Sequence, residues 1–451
     1  MDNQNNPKEP KLKREVGLAQ LVFYGVGNII GAGIYVLVGG AAGLAGNAVG
    51  FAFLIGAAIA LFTGLSYAEL AAMYPKAASE YTYLGKAYGN HFLSFITQWM
   101  MLVTELVASA AVALGFAQYF QSVIISPAWL VAVSLLVILT AIGITGVKRA
   151  LALNTVFSII AILGLVIVIA SGAPKFGSVN YAYSPGGLTG ILGATALVFF
   201  AYIGFDNIAN LSEETKNPQK TLPRGLLISV AISMVLYVLV GIAAVSVVPF
   251  QQLATSNAPL ALVASGTFGP IAYDVLTIAG LLTTLNTVLV LLIVGSRIIY
   301  GMSRQGVLPK ILGRVNSRTS TPIFASIATL AVALLFIPIG NVGQVAKITS
   351  FGSLIAFILV NFALLHLRRT APHLKRPFKV PINIGWVSIT ALLGAITSFA
   401  LLTQFDLQSA LLGMSLPISG IILYFLFNHE KILAVDQRLH QQHEKGKSKS
   451  K

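Results

Sequence analysis

Cysteine is absent from all 451 residues, which excludes disulfide bridges, thiolate nucleophiles and cysteine-held metal. Charge is scarce too. Asp, Glu, Lys and Arg together make up 10% of the chain, against about 25% in ordinary soluble domains, so there is too little polar material to cover a water-facing surface. Only 14 residues are acidic. The six histidines, at 91, 366, 373, 429, 440 and 443, fall at expected inner helix ends, loops or the tail and do not cluster as a metal site. HExxH, GxSxG and the P-loop pattern are also missing, so the usual residues for zinc hydrolysis, acyl transfer and nucleotide-phosphate chemistry are not there. The expectation is a protein that is not an enzyme and has no metal or cofactor.

What the chain has instead is apolar length. Hydrophobic residues make up 56% of it, and the mean hydropathy is +0.83. Apolar runs long enough for ~30 Å of hydrocarbon lie near 18–45, 47–72, 91–120, 127–147 and 151–172. Others lie near 188–212, 224–249, 270–302, 321–339, 347–367, 383–403 and 407–427. That makes about twelve spans and predicts an all-α integral membrane protein with both ends on one side.

Lysine and arginine indicate which side, because short cytoplasmic loops retain them. With the N-terminus inside, 26 of the 29 basic residues fall on cytoplasmic segments, leaving Lys175 and Lys347 outside and Arg297 near the inner end of the eighth run. The net charge of +15 is thereby read as an orientation signal, with no nucleic-acid partner implied. Residues 1–17 are polar, and the run after them is too long and glycine-interrupted for a removable signal peptide. The expected location is the cell membrane, multi-pass, with the lipid bilayer as environment and a monomer or weak homo-oligomer as the assembly.

Two runs contain glycine where a membrane helix should continue. The first holds Gly27-Asn28-Ile29-Ile30-Gly31-Ala32-Gly33-Ile34-Tyr35, and the sixth holds Phe199-Phe200-Ala201-Tyr202-Ile203-Gly204-Phe205-Asp206. In lipid, a broken helix leaves amides and carbonyls without partners, so breaks persist where a ligand or polar cavity satisfies them. Five spans separate the start of one interrupted run from the start of the other. The second therefore enters from the opposite face, the mark of an inverted repeat, although the halves show no residue-by-residue similarity.

If the first run unwinds at 31–33, the amides of Gly33, Ile34 and Tyr35 form a positive helix end suited to a carboxylate, and the carbonyls of Ile29 and Ile30 suit an ammonium. The alternative is that the Gly27/Gly31 spacing serves close helix packing. In the sixth run the aromatic faces can close over a substrate, with the carbonyls of Phe200 and Ala201 as acceptors. Asp206 either caps the half-helix after the break or acts in function. Glu105, an isolated acid in the third run, can carry a coupling proton, read a cationic side chain, or pair with a buried tyrosine or backbone group. Glu69 and Asp274 are expected to be interfacial. Arg297 and His366 are expected to snorkel to the inner surface.

At these residues the chain resembles the amino acid-polyamine-organocation permeases, in particular the cationic amino acid transporter branch and its bacterial relatives. The resemblance rests on Gly31 to Leu37, on Tyr67-Ala68-Glu69-Leu70 with Tyr74-Pro75-Lys76, and on FFAYIGFDNIANLSEETKNPQKTLP at 199–223. It also rests on Ser296 to Arg304 with Gly306-Val307-Leu308-Pro309, and it covers residues 14–428. It implies a LeuT-type repeat of five plus five helices, broken in helices 1 and 6, with two extra helices, moving an amino acid by alternating access. In that scheme the backbone around Gly31 to Gly33 binds substrate, with Phe200, Ala201 and Ile203 lining the site and Gly204 at the break. The corresponding parts are a tail at 1–15, a first repeat at 16–172, an outer loop at 173–187, a second repeat at 188–370, two additional helices at 371–428 and a basic tail at 429–451. Several proton-coupled relatives carry a lysine in the fifth helix, at or near Ala161 here. With none present, the choices are protonation elsewhere, exchange, or a sodium ion held by oxygens such as those of Thr283, Thr284 or Thr287.

Overall fold

In hydrocarbon each backbone polar group must be satisfied within its own segment, which turns long apolar runs into helices. The computed structural model describes residues 13–121, 126–256, 258–339 and 342–426. The first run is split into α1 (Leu18–Ile29) and α2 (Ala32–Ala45), followed by α3 (Val49–Met73), α4 (Ser79–Tyr88), α5 (His91–Gln121), α6 (Ala128–Ile144) and α7 (Val147–Gly172). The second half runs through α8 (Gly187–Val198), a 3-10 turn (Phe199–Tyr202), α9 (Asn207–Asn210), α10 (Pro218–Val247), α11 (Phe250–Thr255) and α12 (Pro259–Phe268). Then come α13 (Pro270–Arg304), α14 (Ile323–Leu335), α15 (Val342–Thr370), a hairpin of β1 (Asn383–Ile384) and β2 (Val387–Ser388), α16 (Ile389–Leu402) and α17 (Leu407–Leu426). Pro218, Pro259 and Pro270 open α10, α12 and α13, where a missing N–H removes no helical bond.

Among the described residues, eight stretches are long and apolar enough to cross a bilayer, the first being Leu18–Met73 with a break inside it. The runs expected near 127–147, 321–339 and 383–403 fold as α6, α14 and α16, of 17, 13 and 14 residues. The polypeptide leaves the helix before its hydropathy falls. Pro127 precedes α6, a 3-10 turn at Ile337–Ile339 follows α14, and the hairpin uses up the start of the third. The connection at 250–269 is itself mostly helical, with α11 and α12 packed on α2.

Around the two breaks the helices are layered so that α10 lies on α3 and α1, α13 on α5 and α7, and α15 on α5 and α16. Two charge clusters sit beneath them. Glu69, fully buried at the end of α3, accepts from Arg368 (Nε, 3.0 Å), Arg376 (Nε, 3.1 Å) and the Val380 amide (2.7 Å). Arg297, 2% exposed, bonds Glu214 at 2.9 Å. Neither fits the expectation of an interfacial acid or a snorkelling arginine, because each has a buried partner of opposite charge. His366 is half-buried and its ring lies 4.8 Å from that of Tyr88. Just before α1, Val16 forms a parallel bridge with Thr215. Its amide donates to the Glu214 carbonyl at 3.0 Å, and its carbonyl accepts from the Lys216 amide at 2.9 Å.

Candidate functional site

Both breaks are real interruptions, and they lie against each other. Helix α1 stops at Ile29. Ile30 (φ −79°, ψ 80°) and Gly31 (φ −126°, ψ −152°) carry the chain across to α2. The helix resumes at Ala32, so the first-turn amides are those of Ala32, Gly33 and Ile34, one residue earlier than the glycine pattern indicates. The shift has a non-local cause: the Ala32 N–H donates to Thr287 Oγ1 on α13 at 3.1 Å, which ties down the new N-terminus.

In the other interrupted run, the 3-10 turn ends at Tyr202 and irregular backbone covers 203–206. Gly204 has φ +118°, a conformation that residues with a Cβ avoid. Its N–H donates to Asp206 Oδ1 (3.1 Å), and its carbonyl accepts from Asn28 Nδ2 (2.8 Å). Asp206 therefore stabilises the break itself, holding an amide two residues behind it, and makes no side-chain cap to α9.

One hydroxyl joins the two breaks. Tyr237 Oη on α10 donates to the Ile29 carbonyl at 2.5 Å and lies 3.1 Å from the Ala201 carbonyl. Those acceptors were expected to face an ammonium group. The phenol has one proton to share between them, and the Ile29 carbonyl also accepts from the Gly31 N–H at 2.9 Å, so its lone-pair directions are taken while the Ala201 carbonyl keeps one open. We predict that Tyr237→Phe, which keeps the ring contacts to Tyr202 and Phe53, leaves the carbonyls underbonded at about 1–3 kcal/mol. The expected result is an apparent substrate affinity weakened by about tenfold, read as KM for uptake.

Between the breaks lies a small cavity of about 30 Å³. Of the residues singled out from sequence, Ile29, Gly31, Ala32, Gly33, Glu105, Phe200, Ala201, Ile203, Gly204 and Thr287 line it. The rest do not. Ile30 and Ile34 are buried in the apolar core, and Asp206 is turned to Gly204. Thr283 and Thr284 donate to the carbonyls of Ala279 and Leu281 on their own helix. At Gly33 the two breaks pack with no room for a side chain, since a Cβ there would stand 2.6 Å from Ala201 Cα.

Asn28, Ala108, Asn207, Leu291 and Thr349 complete the lining and were not anticipated. Asn28 and Asn207 had a visible cue, amides within apolar runs beside the two breaks. Ala108, Leu291 and Thr349 look like ordinary helix residues. Glu105 accepts from Asn207 Nδ2 at 3.1 Å, joining α5 to α9 by a side-chain amide. Two buried acceptors, Asn207 Oδ1 and Thr349 Oγ1, have no protein partner. The cavity thus combines helix-end amides, an acid, unpartnered oxygens and apolar walls, the set of groups that complements a small zwitterion.

Near the expected lysine position, the Ala161 carbonyl accepts from Tyr35 Oη at 2.9 Å. Beside it, neutral groups join the helices: Asn154 Nδ2 donates to Asn286 Oδ1 and Asn286 Nδ2 to the Gly27 carbonyl, both at 3.1 Å.

Residues 16–427 match the sequence model of a family described as amino acid permease. The chain is 32% identical to the branched-chain amino acid permease BcaP of Bacillus subtilis (strain 168), over 85% of this chain and 91% of that protein. It is 30% identical to the methylthioribose transporter of the same organism, over 83% and 85% of the two. Against the vacuolar cationic amino acid transporter 4 of Arabidopsis thaliana it is 32% identical, over 80% of this chain but 64% of that longer protein.

Proposed function

This chain belongs to the amino acid permease family, and we propose that it is a secondary transporter moving amino acids across the bilayer by alternating access. The observation that carries this reading is the convergence of the two helix breaks on one cavity. The substrate carboxylate is assigned to the first-turn amides of α2, with Gly33 giving close approach. The ammonium is assigned to the unpartnered oxygens of Asn207 and Thr349 and to the open lone pair of the Ala201 carbonyl. No cofactor enters this scheme. The breaks, five spans apart, fit two inverted halves with both termini inside.

Coupling is by proton symport or by exchange, and Glu105, the acid in the cavity wall, is the group to which we assign it. The same carboxylate favours Lys or Arg as substrate, because a cation placed beside it meets a buried negative charge. Glu105→Gln removes both properties. The expected outcome is uptake whose dependence on external pH is flat, with competition by Lys and Arg reduced more than tenfold relative to small neutral amino acids. Unchanged pH dependence and competition would remove Glu105 from both roles.

The test of function is uptake into proteoliposomes with a panel of labelled amino acids, with and without a proton gradient and sodium. Saturable uptake with counterflow is the expected result. Saturable binding without flux would identify a sensor, and flux without saturation or counterflow a channel-like facilitator. Either would overturn the transport mechanism.

A further inference from the structure

Between α15 and α16 the chain turns back through the hairpin, with Asn383 opposite Ser388 and Ile384 opposite Val387. Its turn carries large apolar side chains in the open: Ile382, Ile384 and Trp386 are 65%, 72% and 47% exposed. Ile382 also has φ +59°, a left-handed conformation that β-branched residues avoid. A turn facing water has every reason to carry glycine or asparagine at 382 and polar residues at 384 and 386. The sequence keeps isoleucine, isoleucine and tryptophan.

Around these apolar groups stand exposed cations, Arg369, Lys375 and Lys379, and the Arg369 guanidinium lies 5.7 Å over the Trp386 ring. No acidic residue occurs between 366 and 405. Glu69, which reaches this region from α3, is already engaged by Arg368 and Arg376. The hairpin joins the end of one membrane-length helix to the start of another apolar helix, which puts it at the level of the headgroups. Tryptophan beside lysine and arginine is the composition that prefers that layer.

We propose that this hairpin is a docking surface for anionic phospholipid headgroups in the adjacent leaflet. Ile382, Ile384 and Trp386 sit at the acyl boundary, and Arg369, Lys375 and Lys379 take the phosphate oxygens. Each basic residue near an anionic surface is worth about fivefold in partitioning. The two lysines together therefore account for a preference of about 20-fold for anionic over zwitterionic lipid.

The chain has three tryptophans, so Trp99→Phe with Trp129→Phe leaves Trp386 as sole emitter in the full-length protein. Reconstituted in vesicles, its fluorescence should be quenched by brominated phosphatidylglycerol at about 20-fold lower mole fraction than by brominated phosphatidylcholine. Lys375→Gln with Lys379→Gln should shrink that difference to about fivefold or less, the share left to Arg369, and Lys375→Arg with Lys379→Arg should keep it, which separates lost charge from lost folding. Equal quenching by the two lipids, or a preference untouched by the glutamine pair, overturns the proposal. Relief of quenching by inorganic phosphate at matched ionic strength assigns the cations to a soluble anion and overturns it as well.

Discussion

Gly33→Leu is expected to abolish uptake, a loss of at least about 100-fold, since overpacking at a rigid contact costs ~1–3 kcal/mol or more. The reason is positional. Any Cβ at residue 33 would stand 2.6 Å from Ala201 Cα and 2.7 Å from Ala201 Cβ. Backbone cannot yield as a flexible side-chain tip can, so the branched side chain must drive α2 away from the 3-10 turn or occupy the space between the breaks. Either change destroys the geometry on which the proposed binding of one ligand by these amides and carbonyls depends. Insertion should survive, because leucine suits lipid and the break itself lies at Ile30 and Gly31. Gly143 on α6, where an added Cβ meets nothing within 4 Å, provides the control, and Gly143→Ala should transport normally. The readout is uptake normalised to reconstituted protein. Full transport by Gly33→Leu would show that the close approach is dispensable.

The second large effect concerns stability. Glu69→Gln removes the single negative charge between two buried guanidinium groups and sets an amide NH2 where a carboxylate accepted hydrogen bonds. Removing one partner of a buried ion pair costs about 3–5 kcal/mol, because the remaining charge is left uncompensated. Here two cations remain, Arg368 and Arg376. Arg376 also holds the carbonyls of Leu367, Ala371 and Leu374 at the end of α15. The segment returning from α15 toward the hairpin should therefore loosen, lowering the midpoint of heat-induced aggregation in detergent by roughly 5 °C or more. An unchanged midpoint would show that other contacts hold the segment. The exposed pair Lys347–Asp406, at 2.8 Å, is a different case, since solvent screening limits such pairs to about 0–1 kcal/mol.

The interruptions were legible in the sequence because glycine stood where hydropathy called for continued helix, in two places an odd number of spans apart. Their exact edges were not. Ala32 starts its helix because Thr287, 255 residues away, accepts its amide. The same limit applies to the charged residues. Arg297 meets Glu214 across 83 residues, while Arg368 and Arg376 meet Glu69 across 299 and 307, so a reading by local position puts each near water. Tyr237 shows the limit most clearly. Nothing around it in sequence distinguishes it from other tyrosines in apolar runs. Its importance comes from a phenol that needs a partner when buried and from two broken helices that both reach it. Helix ends were equally obscure, since hydropathy persists through the 3-10 turn after α14 and through the hairpin before α16.

The bridge between Val16 and Thr215 yokes the threshold of the first interrupted run to the stretch that follows the second. The start of α1 and the chain beyond α9 therefore act as one strap: a displacement of α1 loads residues 214–216 and, through Glu214, Arg297 in α13.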